Sequence, residues 1–267
     1  MHRLPFLFLI LLVSLQCKKH GEDPPPLNDA RTVLLKTATL QNLPSPYYYY
    51  EYDDRHYVTR VGFAAGTRLY NMEYTGGRVT KMTETKSGRV CRYVYTGKNV
   101  TEINESDASG NQRFSYRFSY NAQELLSQII WVEFPDGRTG DIIKKAQLSY
   151  FPDGNLSALQ RYSLTASGGL EPSTLFQFSD YDTGLNVDDF YLVEDFFDTF
   201  LFLPRVKLQK NNPRHGKIIG SVSEFDLTYS YQYNDKKWPL SVTETTLQTK
   251  GPNPGDTQVY TNQFSYY

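Results

Sequence analysis

Between Phe114 and Tyr120 every second residue is aromatic, and Ser115, Arg117 and Ser119 lie between the rings. Successive side chains of a β-strand point to opposite faces, so this alternation predicts a strand with one buried and one wetted face. The same period recurs at Tyr48/Tyr50/Tyr52, Tyr93/Tyr95, Leu148/Tyr150, Phe176/Phe178, Tyr229/Tyr231/Tyr233 and Phe264/Tyr266.

These ladders sit inside a degenerate repeat. A tyrosine ends a ladder, a turn follows, and two apolar residues three apart come next. Tyr52 leads to Val58 and Val61, Tyr74 to Val79 and Met82, and Tyr95 to Val100 and Ile103. Tyr120 leads to Leu126 and Ile129, Tyr150 to Leu156 and Leu159, and Tyr233, less regularly, to Leu240 and Val242. With Tyr181 and Tyr266 the anchors are spaced by one hairpin each, except that a longer insert separates Tyr181 from Tyr233. Gly76-Gly77, Asp136-Gly137 and Asp153-Gly154 supply the positive φ that tight hairpins need. The predicted fold is all-β: a curved antiparallel β-meander of hairpin repeats, with one amphipathic helix at about 186–201 packed on it.

The helix is predicted inside that insert. Asn186 suits an N-cap, Asp188 and Asp189 suit the first turn, and Phe190, Val193, Phe197, Phe200 and Leu201 recur at helical spacing before Pro204 stops the run. Arg205–Gln209 reads as a strand, and Asn211-Asn212-Pro213 as a turn.

The N-terminus is not fold. After His2 and Arg3 an almost unbroken apolar run extends to Leu15, too short to span a bilayer as a helix. It has the layout of a secretory signal. The run ends at Cys17, which is followed by Lys18 and Lys19, as in a bacterial lipoprotein signal, although Gln16 stands where Gly, Ala or Ser is usual. The expected organisation is a signal peptide over 1–16, a lipidated tether with a proline-rich spacer over 17–30, and one β-repeat domain over 31–267.

The segments Tyr74–Met82, Tyr95–Ile103 and Tyr150–Leu159 resemble YD (RHS-type) repeats. The whole chain is similar to uncharacterised Bacteroidota lipoproteins that join a lipidated cysteine, a polar spacer and a β-rich domain with a late helix. Here Leu203-Pro204 and Asn211-Asn212-Pro213 match the stretch after that helix. The resemblance implies a cell-envelope location, with an outer-membrane anchor whose side is open. It carries no assigned active site.

Composition adds exclusions. The net charge is −1 and no basic stripe appears, so nucleic acid is not an expected partner. If Cys17 carries lipid, Cys91 has no partner among the 2 cysteines, and its place between tyrosines on one strand face reads as a buried, inert thiol. Of the 4 histidines, His56 and His215 lie in the domain, far apart and in polar contexts. No zinc, nucleophile-elbow or P-loop motif occurs, so no catalytic, metal or cofactor residue is assigned. Asp180, Asp182, Asn186 and Asp188 suggest a calcium loop, but Leu185 and Tyr191 occupy the places of its Gly and Glu. Trp131 and Trp238 are candidate sugar-stacking residues, and alternation leaves the face of Trp131 open.

Three readings compete. The leading one is a non-enzymatic binding or scaffold module, held to the membrane by lipid, with a glycan or envelope protein as partner. The second is a lipid or lipoprotein carrier with an apolar cavity lined by Phe190, Phe197 and Phe200. The third is a glycoside hydrolase using a carboxylate pair. The size and lining of the largest concavity discriminate among them. The tether has its own test: mass spectrometry of the mature N-terminus should find acylated Cys17, and cleavage elsewhere would remove the anchor.

Overall fold

The computed structural model describes residues 33–135, 139–187, 197 and 200–267. Residues 1–32, with Cys17 and the expected signal and spacer, lie outside the described residues. The first eight strands are β1 (Leu35–Thr39), β2 (Tyr48–Tyr52), β3 (Val58–Phe63), β4 (Arg68–Thr75), β5 (Arg78–Glu84), β6 (Val90–Thr96), β7 (Asn99–Ser106) and β8 (Gln112–Tyr120). The other eight are β9 (Leu126–Glu133), β10 (Asp141–Tyr150), β11 (Leu156–Leu164), β12 (Leu170–Leu185), β13 (Asn211–Gly220), β14 (Glu224–Tyr233), β15 (Pro239–Lys250) and β16 (Thr257–Tyr266). Each strand pairs antiparallel with the next, and β1 pairs with β16, so the sheet is a closed barrel.

Closure corrects the expected open meander. Alternation dictates which face of a strand is buried. It does not say whether the first and last edges meet, which depends on twist summed over every strand. Here Leu35 faces Tyr266 and Ala38 faces Phe264, so neither edge is left to solvent.

The aromatic ladders point inward as predicted. Tyr48, Tyr50, Tyr70, Tyr93, Tyr116 and Phe118 belong to one buried cluster. The apolar pairs three apart would face opposite ways in a regular strand. A bulge resolves this: Tyr74 faces Val79 while Glu73 faces Lys81, which leaves Thr80 unopposed. Val79 and Met82 therefore both point inward, each 1% exposed. The register shifts just before Tyr52, Tyr95, Tyr120, Tyr150 and Tyr233 in the same way. The bulged residue is commonly a hydroxyl side chain that turns back on the partner strand. Thr59 donates to the carbonyl of Glu51, Thr80 to Glu73, Thr101 to Val94 and Ser127 to Ser119. In the sixth hairpin the bulge falls on Leu240, so buried Pro239 takes the inward place expected of Leu240, which is 43% exposed.

The anchor tyrosines perform a second task. Ladders between neighbouring hairpins stop short at this end of the barrel: β5 and β6 are paired only from Lys81–Arg92 to Thr83–Val90. The Tyr95 hydroxyl closes the gap by donating to the carbonyl of Val79 at 2.9 Å. Tyr52 does the same to Leu35, Tyr74 to Val58 and Tyr120 to Val100. Tyr150 reaches Leu126, Tyr181 reaches Leu156 and Tyr266 reaches Pro239. Tyr233 is the exception. The insert before β13 displaces the expected acceptor, and its hydroxyl donates instead to the Asp182 carboxylate. Burial pushes the Tyr95 and Tyr120 hydroxyls up to about 12, so both remain donors through the physiological range.

The described elements are strands alone. The helix expected at 186–201 falls largely outside the described residues. Its described residues near the C-terminal end enter the barrel: the Phe197 ring lies 5.3 Å from Tyr116 and the Phe200 ring 5.2 Å from Tyr70. Leu201, Leu203 and Leu208 are buried beyond them, and the Tyr93 hydroxyl donates to the carbonyl of Phe202 at 2.8 Å. The described part of this segment, Phe197 and residues 200–203, forms a plug. Its tail corrects two further expectations: Arg205–Gln209 is not a strand, and Asn211-Asn212-Pro213 opens β13 instead of turning.

The outer wall is mostly polar, with Val94, Leu247 and Val259 exposed among its charged and hydroxyl side chains. Cross-strand ion pairs Lys81–Glu73 (2.7 Å), Arg117–Glu102 (3.4 Å) and Arg60–Glu51 (3.7 Å) stand on it. Phe118→Ala should cost about 3–5 kcal/mol, as large-to-small core changes do. Ser119→Ala, one residue along on the exposed face, should be near neutral, and denaturant unfolding of both variants checks the register.

Candidate functional site

The interior tests the carrier reading. Phe197 and Phe200 are 2% and 3% exposed, so these two rings of the stripe are spent on packing. Phe190 lies outside the described residues. A cavity of about 90 Å³ remains between the plug and β12–β16. It is too small for an acyl chain and is partly polar, with Asn212, Tyr229, Tyr231 and Asn262 around Glu244. Burial holds the Glu244 carboxyl above its ordinary value, against a hydrogen bond from Thr246 at 3.0 Å. Among the described residues Glu244 is the single carboxylate on this lining, where a glycosidase would need a pair.

A further concavity is on the outside. Alternation carries Gln177, Ser179, His215, Lys217, Asp226 and Thr228 outward on three neighbouring strands, where they pair as Ser179–His215, Gln177–Lys217, His215–Thr228 and Lys217–Asp226. Thr245, Leu247 and Thr257 continue the face across β15 and β16, and Phe151 closes one side. The groove encloses about 950 Å³. Two acids on this face have basic neighbours: Asp226 lies 3.8 Å from Lys217, and Asp180 lies 3.5 Å from the His215 imidazole. His215 and Asp180 are more than half exposed, at 57% and 59%. These side chains offer hydrogen-bonding and ionic contacts to a polar ligand.

The residues singled out from the sequence do not converge. His56 sits with left-handed backbone in the β2–β3 turn, and His215 lies on the outer wall of β13. Asp182 is engaged by the amide of Gly184 and the Tyr233 hydroxyl, and Asn186 donates to Gln209. Asp188 lies outside the described residues, and among those described no group of three or more metal-ligating side chains forms. Trp131 faces inward, 3% exposed, with its ring 5.3 Å from Phe114, so it offers no sugar platform. Trp238 packs on Tyr266 at 5.2 Å in the β14–β15 turn. Cys91 is buried and its thiol is pushed up by burial and by the neighbouring Glu105. Its burial is as expected.

Besides Glu244, two further interior acids escaped the sequence reading. Glu105 is 2% exposed and accepts from Arg89 at 3.0 Å and from the Tyr116 hydroxyl at 2.9 Å. Glu84 is 4% exposed and accepts from Ser87. Their inward alternation with Met82 and Ile103 was a signal that could have found them. Most groove residues were legible as outward-facing, but the concavity was not.

No family model matches the chain, and no curated protein matches it. Solved structures do. A porin-like protein from Bacteroides uniformis superposes with a TM-score of 0.60 at 15% identity, covering 82% of this chain and 89% of that one. A porin-like protein from Bacteroides vulgatus gives 0.47 at 14% identity, covering 88% and 99%. A DUF3836 family protein from Bacteroides vulgatus gives 0.22 at 10% identity, covering 39% and 89%. The first of these supports the barrel fold and no more.

Glu244 yields a pH prediction with a definite sign. A carboxyl raised on folding keeps its proton in the native state while the unfolded chain loses it. Its contribution to stability is therefore complete below about 4.5 and falls as pH rises towards the folded value. Relative to Glu244→Gln, the wild type should lose stability over that interval, as read by urea midpoints at stepped pH.

Proposed function

We propose that this chain is a non-enzymatic envelope lipoprotein, anchored through Cys17, whose barrel binds an extended polar ligand along the outer groove of β11–β16. One observation carries the reading: the barrel is closed, its described interior is packed with its own aromatics, and its outer wall carries cross-strand ion pairs. A lipid-embedded barrel has the reverse arrangement, and a Lys or Arg facing lipid at the bilayer midplane costs about 2–4 kcal/mol. Lys81, Arg117 and Arg60, on the outer wall here, each stand opposite an acid across the strand, as suits water. The likeness to a porin-like protein is thus a likeness of barrel, and conduction is not part of the reading. The Bacteroides source of that neighbour agrees with the lipoprotein resemblance in the motifs.

The groove suits a glycan strand. It is long, crosses several strands, and presents hydroxyl, amide and paired charged groups with Phe151 as an apolar edge. A polypeptide segment is the competing ligand. A screen of envelope glycans against the purified full chain should find binding without turnover. Thr228→Trp, which fills the groove from the outer wall, should abolish binding and leave the thermal melt in place. Hydrolysis of a glycan, lost on changing a carboxylate, would overturn the reading. Binding unaffected by Thr228→Trp would move the site elsewhere.

A further inference from the structure

At the anchor-tyrosine end of the barrel a second concavity of about 600 Å³ opens, separate from the outer groove. Its apolar floor comes from Val33, Leu34, Val58, Val187, Leu203 and Val206, where the chain enters β1 and where the plug returns to the wall. Its rim is basic. Arg205, Lys207 and Lys210 are exposed there, with His56 on the facing turn, and among the described residues the lining holds no acid. Lys207 also donates to the carbonyl of Asn186 at 3.2 Å, which seats its stem against the floor. Arg78, Lys236 and Lys237 lie on other turns of the same end. Several of its described acids are already engaged: Asp53 by Arg55 and the amides of its own turn, and Glu124 by Lys98. Asp54, Asp153 and Asp235 also lie on these turns.

Position adds to charge. Val33 and Leu34 are part of this lining, so the chain leading back to Cys17 departs from the mouth itself. Residues 17 and 33 are sixteen positions apart, and an extended chain spans at most about 3.5 Å per residue, so the mouth stays within about 56 Å of the anchor. An apolar floor ringed by cations at the tethered end matches one surface chemistry, the anionic headgroup layer of a bilayer.

We propose that the barrel docks mouth-down on an anionic membrane surface, with Arg205, Lys207 and Lys210 meeting lipid phosphates and the outer groove left free at the side. The inference leans on the anchored reading only for which end faces the membrane, and its test needs no lipid on the protein. Full chain carrying Cys17→Ser is mixed with phosphatidylcholine vesicles with or without phosphatidylglycerol, and sedimentation reads the bound fraction. Binding should require phosphatidylglycerol and weaken as salt rises. Combined Arg205→Glu, Lys207→Glu and Lys210→Glu should lower affinity about a hundred-fold, since each basic residue near such a surface is worth about a factor of five. Lys86→Glu, Arg92→Glu and Arg113→Glu, exposed elsewhere on the barrel, should leave affinity unchanged. All these positions are exposed, and a thermal melt verifies the fold of each variant. Equal binding to both vesicle types, no binding to either, or indifference to the mouth variant would overturn the proposal. Competition by inorganic phosphate at low concentration would identify a free-anion site and overturn it as well. Glycan binding at the groove, measured with Thr228→Trp, stands or falls separately.

Discussion

The barrel depends on one recurring hydrogen bond, from the hydroxyl of a strand-end tyrosine to a backbone carbonyl of the neighbouring hairpin. Each hairpin is bulged so that two apolar residues three apart can share the inner face. A bulge disturbs the ladder and twists its strand, and neighbouring hairpins then separate before their ends. The carbonyl exposed by that separation needs a donor. Tyrosine supplies one from a ring that is itself part of the core, so packing and backbone satisfaction come from the same residue. Phenylalanine could fill the space and serine could make the bond. Tyrosine does both, which accounts for the anchors at Tyr52, Tyr74, Tyr95, Tyr120, Tyr150, Tyr181 and Tyr266.

That economy is why so much of the fold was legible. Period-2 aromatics marked the strands and their buried face, and the Tyr–turn–apolar repeat marked the hairpins. Asp53, Asn121 and Asn234, each directly after an anchor tyrosine, accept amides of their own turns, a local rule the sequence displays. What stayed hidden was non-local. Thr37 and Ser265 meet only because every intervening strand adds its increment of twist. Leu240 was read as an inward residue because the bulge position cannot be counted from apolarity when a proline holds the true inward place. The side on which Trp131 points was undecidable until Ile129 and Phe118 fixed the register between β8 and β9.

The candidate site was less legible for a related reason. His215 was noticed as a residue type, and its neighbours Lys217, Asp226 and Thr228 were unremarkable alone. They become a surface only when three strands align, and the alignment is long range. The interior illustrates the converse. Glu244 and Glu105 are both inward acids, but Glu105 has Arg89 and Tyr116 to compensate its burial, whereas Glu244 keeps a small cavity and one threonine. A paired buried charge can serve as structure, while a poorly compensated one marks where packing between plug and wall is incomplete.

The meeting of β1 and β16 has a consequence for the chain as a polymer. The amide of Tyr267 donates to the carbonyl of Leu34 at 3.2 Å, so the two ends of the described domain lie side by side. A ring of hairpins joined this way has no intrinsic first member. Tyr267 could be linked to Leu34 and the backbone reopened at the exposed Asp107–Asn111 turn, giving a circular permutant that keeps every tyrosine–carbonyl bond. The order in which the hairpins are encoded is then a matter of history, and the order in which they touch is what the barrel requires.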